Sequence, residues 1–294
     1  ATERATTNAK PTEQSRLVAG ADLLASKTNY QRQSGFTSNT YGGTLRLGFS
    51  YNEYLYQRFN YQFTATKLTG LNAAVSRYIR EQAGTALTSQ ISQVLTYDRR
   101  NNIIYPTGGY YLTVSTDLSG LGGTERFVRG GAGGAFYVQP LEGWVFSTSI
   151  SGSYVVGLGK DIKIYQRAQL GGYTLRGYKD FGASPRDALT LDALGGDWIA
   201  TTSLELRIPL GLPKEAGIKT KLFNDWGVIG PPKDLKDRAP TTVLDSRAIR
   251  GSAGAGVEWA SPVGTITLDY APFIFNAQPF DRKTRFRVNF GNRF

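Results

Sequence analysis

The chain has 294 residues with no cysteine, histidine or methionine, so the side chains that most often bind metals or shuttle protons near neutral pH are missing. Carboxylates, serine, lysine and tyrosine remain. Asp98, in the run YDRRN, is followed directly by Arg99 and Arg100, and an aspartate at such a turn serves local hydrogen bonding. The run GGYTLRG at 171–177 has the glycines of a phosphate loop, but it lacks the GK[ST] ending and the strand-to-helix setting. Arg176 within that run is more informative. Glu205 and Asp225 fall on the polar parity of the two following strand-like segments, and a guanidinium can satisfy two carboxylates with planar, paired hydrogen bonds. The residues alone leave two arrangements open: Arg176 bridging both carboxylates in an interior, or Arg176 in water with Glu205 and Asp225 lining a hydrated face. Neither is catalytic, and neither requires a cofactor or a metal.

The elements that would position these residues are strands. The last stretch, TRFRVNFGNRF, puts Phe286, Val288, Phe290 and Phe294 on one face, with Arg285, Arg287, Asn289 and Arg293 opposite. Similar alternation recurs upstream at roughly ten-residue spacing, giving about twelve strands with alternating short and long connections, as in an antiparallel up-and-down barrel. The row expected to face lipid includes Leu45, Leu47, Leu112, Val114, Leu204, Leu206, Ile266, Leu268, Phe286 and Phe290. No apolar run reaches the roughly 18 residues of a transmembrane helix. Mean hydropathy is slightly negative, at −0.30, as suits strands with one face toward a polar lumen. A soluble β-sandwich adhesin is a further possibility, and it requires the aromatic rows to face a core. The formal charge of +11 is spread through strands and loops without a dense basic tract, so nucleic acid is not an expected partner.

Residues 1–16 read as a flexible linker or cut end, and 17–294 as one barrel domain. Within it, 71–89 favours a short helix inside a long loop. Glycines 130, 131, 133 and 134 suit a wall that bends sharply, or one pressed on its inner face by another segment. The interruption at 159–192 carries Tyr165, Leu170, Tyr173, Leu175, Tyr178 and Phe181, too apolar a set for a floppy linker. It is expected to fold inward and pack.

Several stretches resemble the membrane barrel of the Omp85 superfamily of outer-membrane assembly proteins, most closely the BamA-type branch of alphaproteobacteria. They are YDRRNNIIYPTGGYYLTVSTDLSGLGG at 97–123, LGGYTLRGY at 170–178, LELRIPLGLP at 204–213, LFNDWG at 222–227, WASPVGTITLDYA at 259–271 and the terminal FRVNFGNRF. The family arginine falls on Arg176, with its glycine and aromatic on Gly177 and Tyr178, and its acidic partners fall on Glu205 and Asp225. Leu175 stands where the loop often has valine. The resemblance implies an integral protein of the bacterial outer membrane that folds and inserts other β-barrels, without cofactor or enzymatic activity. Implied partners are outer-membrane lipid and lipopolysaccharide, unfolded β-barrel clients and accessory lipoproteins. A protein-translocating pore of the same superfamily, such as a two-partner secretion exporter, is the alternative. The family barrel has sixteen strands behind periplasmic domains, so about twelve strands imply an N-terminal deficit: a fragment of a longer protein, or a shortened barrel. The first strand is then expected to pair with the last, or to be covered by another segment or chain.

Overall fold

The computed structural model describes residues 17–71, 73–211, 217–235, 239, 241–261 and 264–291. The segment 1–16 and Phe294 lie outside them. The strands in chain order are β1 (Leu17–Asn29), β2 (Thr37–Ser50), β3 (Leu55–Thr69), β4 (Gly84–Asp98), β5 (Gly109–Gly123), β6 (Phe127–Leu141), β7 (Trp144–Gly157), β8 (Arg186–Asp187), β9 (Trp198–Ile208), β10 (Ile218–Ile229), β11 (Val243–Leu244), β12 (Arg250–Ser261), β13 (Gly264–Phe275) and β14 (Phe286–Phe290). Twelve of them form one antiparallel sheet in chain order, while β8 and β11 pair separately. Apart from β14, the wall strands have 11 to 15 residues, enough to cross hydrocarbon when tilted.

The two faces of this sheet are inverted relative to a soluble protein. Thr64 and Thr66 on β3, Gln90 and Ser92 on β4, and Thr265, Thr267 and Asp269 on β13 are buried. Leu45, Leu47, Leu112, Val114, Leu268, Phe286 and Phe290 are exposed on the outside, and Leu204, Leu206 and Ile266 on the same parity are half-buried. A sandwich would bury the apolar row against a second sheet, and no such layer exists among the described residues. The two larger buried apolar clusters sit instead mainly in the connections. One joins Phe36, Val75, Tyr78, Ile79, Ile164, Leu194 and Val243, together with Leu68 at the end of β3.

Four details differ from or sharpen the sequence expectations. The short helix expected inside 71–89 is a single turn, Arg77–Arg80, capped by Ser76 Oγ, and β4 already begins at Gly84. Pairing of Thr85–Thr88 with β3 satisfies their backbone groups across a ladder, and Gly84, Thr85 and Thr88 are poor helix formers. In β6, a Cβ on Gly131 would meet Ser115 Oγ at 2.7 Å and one on Gly134 the Tyr111 carbonyl oxygen at 2.6 Å. Both obstacles belong to the neighbouring strand of the wall, which favours the sharp bend over a pressing segment. On β13 the register shifts between Ala253 and Ala255, so that Ala271 and Pro272 together face Gly254. Proline has no N–H to give a ladder, and this bulge puts Phe273 and Phe275 outside while Ile274 turns in.

The last strand is the fourth. Its ladder with β13 begins at Phe286 rather than at Arg282, because residues 282–284 bond to the long loop instead. Among the described residues β1 pairs with β2 alone and β14 with β13 alone. The expected pairing of the first and last strands is therefore not formed there; a five-residue strand leaves most of the thirteen-residue β1 without a counterpart. The two edges are tied at one end, where Arg282 Nη1 donates to the Arg32 carbonyl at 3.2 Å and the Tyr30 and Phe181 rings stack at 5.7 Å. Spin labels at Leu45, Leu112, Leu268 and Phe286 in a lipid bilayer should be relaxed by oxygen and shielded from a water-soluble nickel chelate. Labels at Thr66 and Gln90 should not be reached by the lipid-soluble quencher.

Candidate functional site

The connection from β7 to β9, residues 158–197, turns back into the barrel. Its apolar side chains Leu170, Leu175 and Tyr178 are fully buried and pack with Ala183 and Ile229. Tyr173, expected to pack with them, is 57% exposed, and the Arg287 guanidinium lies 4.2 Å from its ring centroid. Gly177 has φ +84°, and a Cβ there would sit 3.0 Å from Ser252 Cβ and 3.3 Å from Ala271 Cβ. That position requires both the left-handed backbone and the absence of a side chain. It lets the loop lie directly on β12 and β13, and Tyr178 reaches past it to donate to the Phe275 carbonyl at 3.2 Å.

Arg176 is 1% exposed. Its Nε donates to Asp225 Oδ2 at 2.5 Å and its Nη2 to Oδ1 at 2.6 Å, a two-pronged pairing, while Nη1 reaches Glu205 Oε1 at 2.7 Å. The two carboxylates come from adjacent strands, β10 and β9. Ser203, also on β9, accepts from Nη2 at 2.9 Å and donates to Asp225 Oδ1 at 2.6 Å. The Phe223 ring lies beneath, with its centroid 3.8 Å from the guanidinium carbon, a cation–π contact in a site that water does not reach. All five N–H groups of an arginine need acceptors when buried, and this pocket is built from acceptors and one ring face. Lys221 adds positive charge between Glu205, 3.7 Å away, and Asp269, 3.5 Å away.

A second lock holds the start of the loop. Glu125 is buried and accepts from Thr88 Oγ1 at 2.8 Å and from the Tyr165 hydroxyl at 2.5 Å. Burial, with the Glu125 carboxylate beside it, holds the Tyr165 phenol well above its ordinary pKa, so it stays a donor. Arg167, buried in the same segment, pairs with Asp197 and Asp234. Asp98 makes a local bidentate pair with Arg100, at 3.0 and 2.6 Å. On the last strand Phe286, Val288 and Phe290 point outward and are exposed. Sequence reasoning did not single out Ser203 and Phe223, although both share the inward parity of Glu205 and Asp225. An aromatic at 223 in a row of polar inward residues was the available signal. Among the described residues no group of three or more His, Cys, Asp or Glu is arranged to hold a metal ion.

The Omp85 superfamily domain matches residues 5–294. The chain belongs to the Omp85 superfamily. BamA from Neorickettsia risticii, an outer membrane protein assembly factor, is 26% identical over 94% of this Omp85 chain and 36% of its own length. The assembly factor BamA of Nitratidesulfovibrio vulgaris is 26% identical over 86% of the chain and 31% of its length. The chain thus spans about a third of these relatives. A crystal structure of Haemophilus ducreyi BamA lacking POTRA domains 1–3 superposes with a TM-score of 0.79 at 21% identity, over 92% of this chain and 58% of the other. The fold is that of the BamA barrel, and with the family it places this Omp85 chain in the bacterial outer membrane as an integral β-barrel.

Breaking a buried ion pair from one side leaves a charge without compensation and typically costs about 3–5 kcal/mol. Arg176→Ala should therefore lower the temperature at which the folded barrel loses its heat-resistant mobility on a gel, and make the loop accessible to protease. Arg176→Lys should recover only part of the loss, since one ammonium cannot reproduce the forked pairing. Unchanged melting in Arg176→Ala would mean that Leu170, Leu175 and Tyr178 suffice to hold the loop.

Proposed function

We propose that this Omp85 chain is the membrane barrel of an outer-membrane assembly factor that folds and inserts client β-barrel proteins. The observation that carries the reading is the terminal strand β14, which is held by a five-residue ladder to β13 and has no second neighbour in the sheet among the described residues. In hydrocarbon an unpaired backbone group costs several kcal/mol, so such edges favour pairing with any strand that arrives, with little regard to its sequence. The relatives named above support the same role, since both are assembly factors.

In this reading the loop anchored by Arg176, Gly177, Tyr178, Glu205 and Asp225 occupies the lumen and keeps the wall in shape while the edge works. The outward Phe286, Val288 and Phe290 seat the terminal strand in lipid, with Phe294 beyond the described residues. Unfolded β-barrel chains are the substrates, outer-membrane lipid and lipopolysaccharide the surroundings, and accessory lipoproteins the helpers. The loop locked to the inner wall through Arg176 narrows the interior, which counts against threading a polypeptide through the lumen as the exporter alternative requires. The step needs no cofactor and no bond chemistry; backbone pairing supplies the work.

The test uses the full-length protein in liposomes and a urea-unfolded outer-membrane barrel as client. Folding of the client should accelerate over empty liposomes, and a disulfide engineered between β14 and the strand that faces it across the seam of the full-length barrel should abolish the acceleration until it is reduced. These 294 residues contain no cysteine, so the introduced pair meets no competing thiol among them. Equal acceleration by the oxidised and reduced protein would sink the edge mechanism.

A further inference from the structure

The terminal strand is held from two sides. Its five-residue ladder with β13 is short, but the stretch just before it bonds to the interior loop. Lys179 N–H donates to the Arg282 carbonyl at 2.9 Å, Arg282 N–H to the Gly182 carbonyl at 2.8 Å and Thr284 N–H to the Gly177 carbonyl at 3.0 Å. The loop residues in these bonds, Gly177, Lys179 and Gly182, follow Arg176 directly in sequence. The loop that the buried arginine anchors is therefore also a pairing partner of the seam strand.

Arg287 continues the connection into β14. It lies on the inward parity, and its Nη2 donates to Asp180 Oδ1 of the loop at 2.7 Å while its Nε donates to Asn289 Oδ1 at 3.1 Å. The loop is shaped around this contact: Gly172 has φ +66°, and a Cβ there would lie 2.2 Å from Asp180 Oδ1 and 3.3 Å from Arg287 Nη1. Directly across the ladder from Arg287 is Asp269. That carboxylate is 2% exposed, and neither of its oxygens accepts a hydrogen bond among the described residues. Its nearest cation is Lys221 at 3.5 Å. A buried carboxylate with unfilled acceptor sites, one cross-strand step from an arginine committed elsewhere, is a second seat for that arginine.

We propose that Arg287 is a positioning residue that ties the seam strand to the interior loop through Asp180, with Asp269 as its alternative acceptor when the loop withdraws. The proposal rests on the assembly reading for its purpose, because release of β14 would expose the edge that a client needs. Its geometry stands without that reading. With the loop seated, the Arg287–Asp180 pair and the backbone bonds at 282–284 hold the strand. With the loop displaced, Arg287 turns to Asp269, and the strand keeps its β13 ladder while losing its inner support.

Hydrogen exchange measured by mass spectrometry on the full-length protein in lipid, without client, tests this. Asp180→Asn should speed exchange of the Phe286–Phe290 amides about three-fold, as suits a partly exposed ion pair. Asp180→Glu should restore the parent rate, and β7 and β9 should exchange normally in both variants. Adding Asp269→Asn to Asp180→Asn should speed β14 exchange further. Parent-like β14 exchange in Asp180→Asn, or a loss of protection spread evenly over all strands, would overturn the tie. Equal exchange in the single and double variants would overturn the second seat. Because no client is present, a protein that shows this coupling yet inserts nothing contradicts the assembly reading alone, and one that inserts clients without the coupling contradicts the tie alone.

Discussion

Hydrocarbon offers no hydrogen bonds, and nearly every feature of this molecule follows from that constraint. A chain that crosses lipid as strands must pair its backbone groups with neighbouring strands, which makes a meander of long antiparallel strands an economical solution. It must also turn its apolar side chains outward, so the ordinary oil-drop core disappears from the wall. What would be the core of a soluble protein becomes a polar chamber of threonine, serine, glutamine and aspartate.

Such a chamber is difficult to fill. Water would hydrate it, but the 158–197 loop brings a protein surface to match it, including a guanidinium seated among carboxylates, a hydroxyl and a ring. Burial of that many charges is stabilising only because the pairing is nearly complete, as Arg176 with Asp225, Glu205 and Ser203 illustrates. The same logic explains why the loop is both apolar and glycine-rich. Leucine and tyrosine bury its body, and left-handed glycines let its backbone touch the wall.

Much of this was legible in the sequence, because period-two alternation is a strong signal and its parity assigns every residue to one face. Parity put Glu205 and Asp225 on the polar face, the packed loop put Arg176 within reach of it, and the structure brings the three together. The signals that failed were those that parity does not carry. The interruption at 71–89 ends sooner than its polar, helix-favouring start suggests, because GTALTS at 84–89 joins β4. The terminal strand alternates through to its end, but Arg282 and Thr284 bond to a loop about a hundred residues earlier, a contact invisible to any local pattern. Tyr173 looked like packing material and turned out to carry an arginine on its face. The bulge at Pro272 silently reverses the parity of everything after it on β13. Proline inside a strand pattern was the clue to it.

The cluster that unites the connections bears on how the molecule forms. Each wall strand pairs with its neighbour in sequence, apart from the detour through the long loop, so the wall zips up from local hairpins at little cost in loop entropy. Phe36, Val75, Ile79, Ile164, Leu194 and Val243 come from four separate connections, and no two connections bury them alone. Their cluster closes only after most of the strands already stand in order. The topology thus allows the wall to pair before the cap closes, and the loop can seat Arg176 among its carboxylates only on strands that already stand in order.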